Sequence, residues 1–87
     1  MIHSSHTDVT NRLKRAEGHL RKIIAMMESE RACVDIAQQL HAVEAAVAKA
    51  KQTLIHDHID HCLEQAVMDG RKSKDVLNEF KEISKYL

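Results

Sequence analysis

The 87-residue chain is predicted to be all-α, with three helices of which the central one is long and pairs with a second copy of the chain. It has no proline and two glycines, which leaves few breaks in helical structure. Hydrophobic residues make up 44% of the chain, but its aromatic residues are one phenylalanine and one tyrosine. A core this small usually needs a metal ion or partner subunits for stability.

The first helix is predicted over residues 6–28. Ser5, followed three residues later by Asp8, fits a capping box at its start. Its apolar residues recur at alternating steps of four and three, as in a coiled-coil heptad: Val9, Leu13, Ala16, Leu20, Ile23 and Met27. The phase of this pattern is lost near residues 29–32, so a turn is expected there although it contains no glycine.

The second helix is predicted over residues 32–67. A second heptad pattern marks it: Ile36, Leu40, Val43, Val47, Ala50 and Leu54. At about 1.5 Å per residue such a helix reaches roughly 50 Å, whereas a globule of this chain length has a diameter of about 30 Å. Its middle, residues 45–50, is rich in alanine and permits close approach of another helix. We therefore expect an antiparallel dimer whose long helices cross near residue 46.

The third helix is predicted over residues 73–86. Gly70 is expected to end the second helix, and Ser73 is expected to cap the third. The apolar positions of this helix are Val76, Phe80, Ile83 and Leu87.

Composition excludes several classes of protein. The chain has no apolar run of the roughly 18–20 residues that a bilayer span requires. Two cysteines do not make the disulfide framework of a secreted domain, so we expect reduced thiols and a cytoplasmic protein. Two glycines are too few for a phosphate-binding loop, and no constellation of residues supports an enzyme.

A candidate metal site lies in residues 56–62, which hold three histidines, two aspartates and a cysteine. His58 and Cys62 are four residues apart and share one face of a helix. The alternative is a solvated polar segment with a half-buried cysteine. Cys33 lies 25 residues before His58, roughly 37 Å away along a continuous helix. In an antiparallel dimer centred near residue 46, however, Cys33 of one copy falls beside residues 58–62 of the other.

The ligand types restrict the metal. Two thiolates and one imidazole suit three-coordinate Cu(I), and Ni(II) or Zn(II) are alternatives. His3, His6 and His61 are candidates for a further ligand, although the first two could equally belong to a polar arm.

The formal net charge is zero, but the charges are unevenly placed. Residues 1–27 hold two acidic residues and five cations: Arg12, Lys14, Arg15, Arg21 and Lys22. Lys49 and Lys51 follow at the centre of the second helix. A basic stripe on the first helix would suit contact with phosphates, and the alternative is an ordinary solvated helix face.

The chain resembles the CsoR/RcnR family of bacterial metal-sensing repressors over essentially its full length. Cys33, His58 and Cys62 carry the resemblance, separated by 24 and three residues, together with the segment 36–43. The resemblance implies an antiparallel dimer that assembles into a flat tetramer without a helix-turn-helix. It also implies that the apo form binds operator DNA and releases it when metal binds, so that metal efflux or resistance genes are derepressed.

The resemblance also bears on single residues. Arg12, Arg15 and Lys49 match basic residues that the family uses for DNA. The family's copper sensors have a tyrosine before the first cysteine and a glutamate 45 residues after that cysteine. Ala32 and Asn78 stand at those positions here.

Glu79 is adjacent to the second of these departures. Nickel and cobalt sensors of the family recruit an N-terminal histidine, near which His3 and His6 lie. Because Ala32 and Asn78 replace the residues typical of the copper sensors, and because these histidines are present, Ni(II) and Co(II) are close alternatives to Cu(I) as the sensed metal.

The sequence therefore predicts a cytoplasmic, metal-responsive transcriptional repressor that is not an enzyme and has no membrane partner. Metal would bind Cys33 of one chain together with His58 and Cys62 of another, in a homodimer or homotetramer. One alternative is a metal-buffering helical bundle with no role at DNA. The other is a thiol redox sensor that uses Cys33 and Cys62.

Overall fold

The computed structural model describes residues 5–69 and 73–87, with the side chains of 6–64 and 75–87. It confirms the predicted all-α, three-helix class, and no strand occurs among these residues. Helix α1 spans Ser5–Glu28, α2 spans Cys33–Asp69 and α3 spans Ser73–Ser84. The expected Gly70 cap and His3 lie outside the described residues, as do the side chains of Ser5 and Ser73.

The turn expected at residues 29–32 is observed there, and it is a Schellman motif. The Arg31 N–H donates to the Met26 carbonyl at 3.0 Å, and the Glu30 N–H donates to the Met27 carbonyl at 3.2 Å. Glu30 has φ 56°, the left-handed conformation that glycine usually supplies in this motif. The hydrogen bonds of the motif therefore end α1 without a glycine.

Helix α1 folds back along α2, and the two heptad patterns divide into two sets. Alternate members are buried between the helices: Val9, Ala16 and Ile23 from α1, with Ile36, Val43 and Ala50 from α2. The other members are exposed, and we call them the outer apolar stripe: Leu13, Leu20, Met27, Leu40, Val47 and Leu54. The single chain thus covers half of each pattern and leaves the other half in solvent.

One detail of the predicted pattern differs at the end of α1. Met26, which the heptad pattern omits, is 7% exposed, whereas Met27 is 60% exposed. Met27 shares its side of the helix with Leu13 and Leu20, while Met26 lies next to the reversal of the chain and joins Ile23 in the core.

A polar contact also joins the two helices. His19 Nε2 lies 2.6 Å from Gln39 Oε1, and both side chains are partly buried. This hydrogen bond fixes the register of α1 on α2 beside the apolar core.

Helix α2 is unbroken over 37 residues, and α3 packs against it. The molecule measures 58 × 22 × 13 Å, so its length is close to that of α2 alone, about 55 Å. Within the described residues, no helix has an apolar stretch long enough to cross a membrane.

Candidate metal centre

Three potential ligands meet where α3 crosses the last part of α2. Cys62 Sγ lies 3.3 Å from His58 Nε2, and the Cys62 thiol donates to Glu79 Oε2 at 2.9 Å. The nitrogen, sulfur and oxygen atoms of these residues all lie within 4.8 Å of one another, and each side chain is half-buried. The structure therefore brings together the predicted His58 and Cys62 and adds a carboxylate.

Local sequence explains this arrangement. His58 and Cys62 are one helical turn apart, so their side chains lie on the same face of α2. The gap beneath the cluster is walled by apolar side chains from both helices: Ile59, Leu63, Val76, Phe80 and Ile83. Because Val76, Glu79 and Ile83 are spaced three and four apart, packing the apolar face of α3 brings the Glu79 carboxylate to Cys62.

Glu79 was not among the predicted ligands. The signal for it was present, since Glu79 lies three residues after Val76 and four before Ile83, two apolar positions of the third helix. Asn78, which stands at the position where the resemblance implies a glutamate, lines an adjacent cleft of about 430 Å³ that also contacts His58. The cleft is open to solvent and is lined by two of the three ligands, His58 and Glu79.

The donor set fits a thiophilic transition metal. Metal–sulfur and metal–nitrogen bonds of about 2.3 and 2.0 Å would place the two donors roughly 3.5–3.7 Å apart at trigonal or tetrahedral angles. The observed distance between His58 and Cys62 is 3.3 Å, so an ion could be bound with little rearrangement. A thiolate and an imidazole suit Cu(I), Ni(II) or Zn(II), and the Glu79 oxygen adds a harder donor.

The remaining predicted ligands lie apart from this cluster. Cys33 is exposed at the first residue of α2, roughly 37 Å from His58 along the helix axis. His61 and His6 are half-buried, and neither belongs to the group of ligand atoms that meets within the described residues. His6 instead lines a shallow pocket at the start of α1 with Thr7 and Lys14.

The predicted DNA-contacting residues are partly or fully exposed on α1 and α2. The Arg12 Nε donates to Asp8 Oδ2 at 2.9 Å, so this guanidinium is already held by a carboxylate one turn away. Arg15 and Lys49 are exposed. Two of the three predicted cations thus present their charge to solvent in the single chain.

A family model and several known proteins match this chain. A family model described as metal-sensitive transcriptional repressor matches residues 5–86. A copper-sensing transcriptional repressor CsoR of Mycobacterium ulcerans is 48% identical over 61 residues, which cover 70% of this chain. The match covers 52% of that protein, so the chain spans about half the length of this relative.

Two solved structures resemble the whole of the chain. The nickel-responsive transcriptional regulator InrS superposes with a TM-score of 0.86 at 29% identity, covering 99% of this chain and 96% of the other. The copper-sensing repressor CsoR with Cu(I) from Geobacillus thermodenitrificans superposes with a TM-score of 0.81 at 30% identity, covering 99% and 88%.

Proposed function

The chain belongs to the family of metal-sensitive transcriptional repressors, and from this premise we propose that it binds operator DNA without metal and releases it when Cu(I) binds. As a member of a repressor family it is not an enzyme. In the proposal residues 1–87 form one cytoplasmic domain that carries both the metal site and the DNA surface. The genes under its control would encode metal efflux or resistance proteins.

One observation carries the proposal: a nearly complete metal site at one end of α2, with a second cysteine at the other end. His58 and Cys62 already lie at chelating distance. Cys33 is exposed and too far away to join them within one chain. An antiparallel partner would bring Cys33 to His58 and Cys62 and complete two equal sites per dimer.

The outer apolar stripe supports such an assembly. Monomers rarely leave a long row of aliphatic side chains in solvent, and rows of this kind mark interfaces with other chains. Its α2 members, Leu40, Val47 and Leu54, flank the expected crossing near residue 46. We propose a homodimer built on this stripe, and a homotetramer formed from two dimers.

The proposed mechanism is a difference in affinity between two assembled shapes. Metal bridging two chains would favour the shape that binds DNA poorly, and DNA would weaken metal binding by the same factor. Helix α2 connects the two sites, because it holds the ligands at its ends and Lys49 at its centre. The DNA surface would comprise Arg12, Arg15 and Lys49, with Arg12 leaving Asp8 to reach a phosphate.

Cu(I) is the preferred metal in this proposal because two thiolates and an imidazole form a soft, three-coordinate set. The copper-sensing relatives agree with this choice. Ni(II), followed by Co(II), is the second candidate, since the Glu79 oxygen at Cys62 adds a donor that Cu(I) does not need. The similarity to a nickel-responsive regulator also favours it.

The test is an anaerobic titration of the reduced apo protein with Cu(I) and with Ni(II), each against a competing chelator. DNA release is followed in parallel on a duplex selected by the wild-type protein from a random-sequence pool. Cys33→Ala should leave apo DNA binding intact and abolish release by metal. His58→Ala should behave in the same way, whereas His56→Ala, an exposed neighbour, should match wild type.

The alternatives predict different results. If Cys33→Ala prevents DNA binding by the apo protein, the cysteine is structural and the sensor mechanism is wrong. If metal binds as expected but no duplex is selected, the chain is a metal-buffering bundle. A disulfide between Cys33 and Cys62 that controls DNA binding, without metal dependence, would identify a thiol redox sensor.

A further inference from the structure

Gly18 lies in the middle of α1, where glycine is, after proline, the least favourable helix residue. A Cβ added at this position would meet no atom within 4 Å. The packing of the chain therefore does not require a glycine here. Glycine weakens the helix at this position, and no contact within the chain requires it. Contact with another molecule is therefore the explanation to consider.

The position of Gly18 on the helix indicates which face it serves. At about 100° per residue, Gly18 lies roughly opposite Val9, which is buried against α2. The α1 members of the outer apolar stripe (Leu13, Leu20 and Met27) lie on the side of Val9 and not on the side of Gly18. A second copy docking on that stripe would therefore not approach Gly18.

Four cations surround Gly18 at helical neighbour spacing. Arg15 and Lys22 lie three residues before and four after it, and Lys14 and Arg21 lie four before and three after. One pair therefore lies on each side of Gly18 around the helix. All four side chains are exposed.

The surrounding charge favours an anion. Residues 11–22 hold five cations and one acid, a net charge of +4. The acid, Glu17, pairs with Arg21 at 3.8 Å, and both side chains are mostly exposed. Such a surface pair is weak and is readily exchanged for another anion.

We propose that Gly18 is a positioning residue of the DNA surface, where a backbone phosphate of duplex DNA comes against α1 between the two pairs of cations. This inference rests on the proposed function and adds to it a reason for the glycine. Without a Cβ, the phosphate lies closer to the helix axis, so that cations on both sides reach it together. Any side chain at residue 18 would hold the phosphate away from at least one pair.

The test compares wild type with Gly18→Ala and Gly18→Leu on the selected duplex, by fluorescence anisotropy at several salt concentrations. Both variants should raise the melting temperature, because alanine and leucine are better helix formers than glycine. Both should nevertheless weaken DNA binding, by about tenfold for alanine, the loss expected when a charged hydrogen bond is broken. Leucine should weaken it further, and the slope of log K against log salt should fall by about one.

Gln38→Ala is the matched control, because residue 38 is exposed on α2 and the substitution changes no charge. Its DNA affinity should equal that of wild type. If Gly18→Ala binds the duplex as tightly as wild type, the inference is wrong. Equal losses for alanine and leucine would also overturn it, since they would indicate that flexibility of α1 matters and not close approach.

Two further outcomes separate this inference from the proposed function. A change in oligomeric state for Gly18→Leu in the absence of DNA would show that a second copy covers this face, and would overturn the inference alone. A wild-type protein that selects no duplex would overturn the proposed function and this inference together.

Discussion

Leu40→Ala tests whether the outer apolar stripe holds two chains together. Leu40 is 47% exposed in the single chain, so roughly half of its side chain remains to be covered by a partner. Full burial of a leucine contributes about 1.5–3 kcal/mol, so covering this remainder contributes about 0.7–1.5 kcal/mol per chain. A symmetric dimer contains the residue twice, which doubles the effect to about 1.5–3 kcal/mol.

Truncation to alanine removes most of that contribution, so the dimer dissociation constant should rise by about ten- to a hundredfold. Sedimentation equilibrium of the apo protein at several concentrations measures it directly. Gln38→Ala, two residues away on the exposed polar side of α2, should leave the constant unchanged. If Leu40→Ala and wild type dissociate at the same concentration, the stripe is not the interface, and the route by which Cys33 reaches a partner's His58 is lost.

Three other substitutions probe features of the single chain. Glu30→Gly should raise the free energy of unfolding by about 0.5–1 kcal/mol, because glycine adopts the left-handed conformation without a Cβ penalty. Chemical denaturation at fixed protein concentration measures this free energy, and a loss of stability would contradict the prediction. Gln39→Ala should lower the same quantity by about 1 kcal/mol through loss of its hydrogen bond to His19, and no change would show that the bond contributes nothing. Glu79→Gln should weaken Ni(II) binding more than Cu(I) binding in chelator competition, whereas Glu82→Gln, which lines the same cleft, should alter neither. Equal losses for the two metals would exclude the carboxylate as a selective ligand.

Much of the fold follows from periodicity. The loss of heptad phase near residue 29 located the turn correctly even without a glycine, because apolar spacing depends on packing and not on the turn residue. It could not show that Glu30 takes the left-handed conformation, since turn residues other than glycine and asparagine carry little signal for it. Periodicity also could not separate the buried half of each pattern from the outer apolar stripe. A heptad pattern shows which side chains are apolar, but it does not show which neighbour covers each of them.

The candidate metal centre was predictable in part, because some of its residues share one helix. His58 and Cys62 share one helix, so their spacing alone fixes their proximity. Glu79 belongs to another helix, and its approach to Cys62 depends on how α3 crosses α2. The spacing of Val76 and Ile83 around Glu79 pointed to the packed face, but the partner on α2 became visible only in three dimensions.

The unbroken course of α2 has a consequence for how the proposed sensor would respond to dose. Since Cys33 and His58 of one chain lie far apart along α2, an ion bound by Cys33 of one copy and His58 of another would report on the number of paired chains as well as on the amount of metal. Under mass action, the free metal concentration at half-response would fall as the protein concentration rises towards the dissociation constant for pairing, and would level off above it. In the proposed sensor, a cell that made more of this protein would therefore respond at a lower free metal concentration, with no change in any ligand.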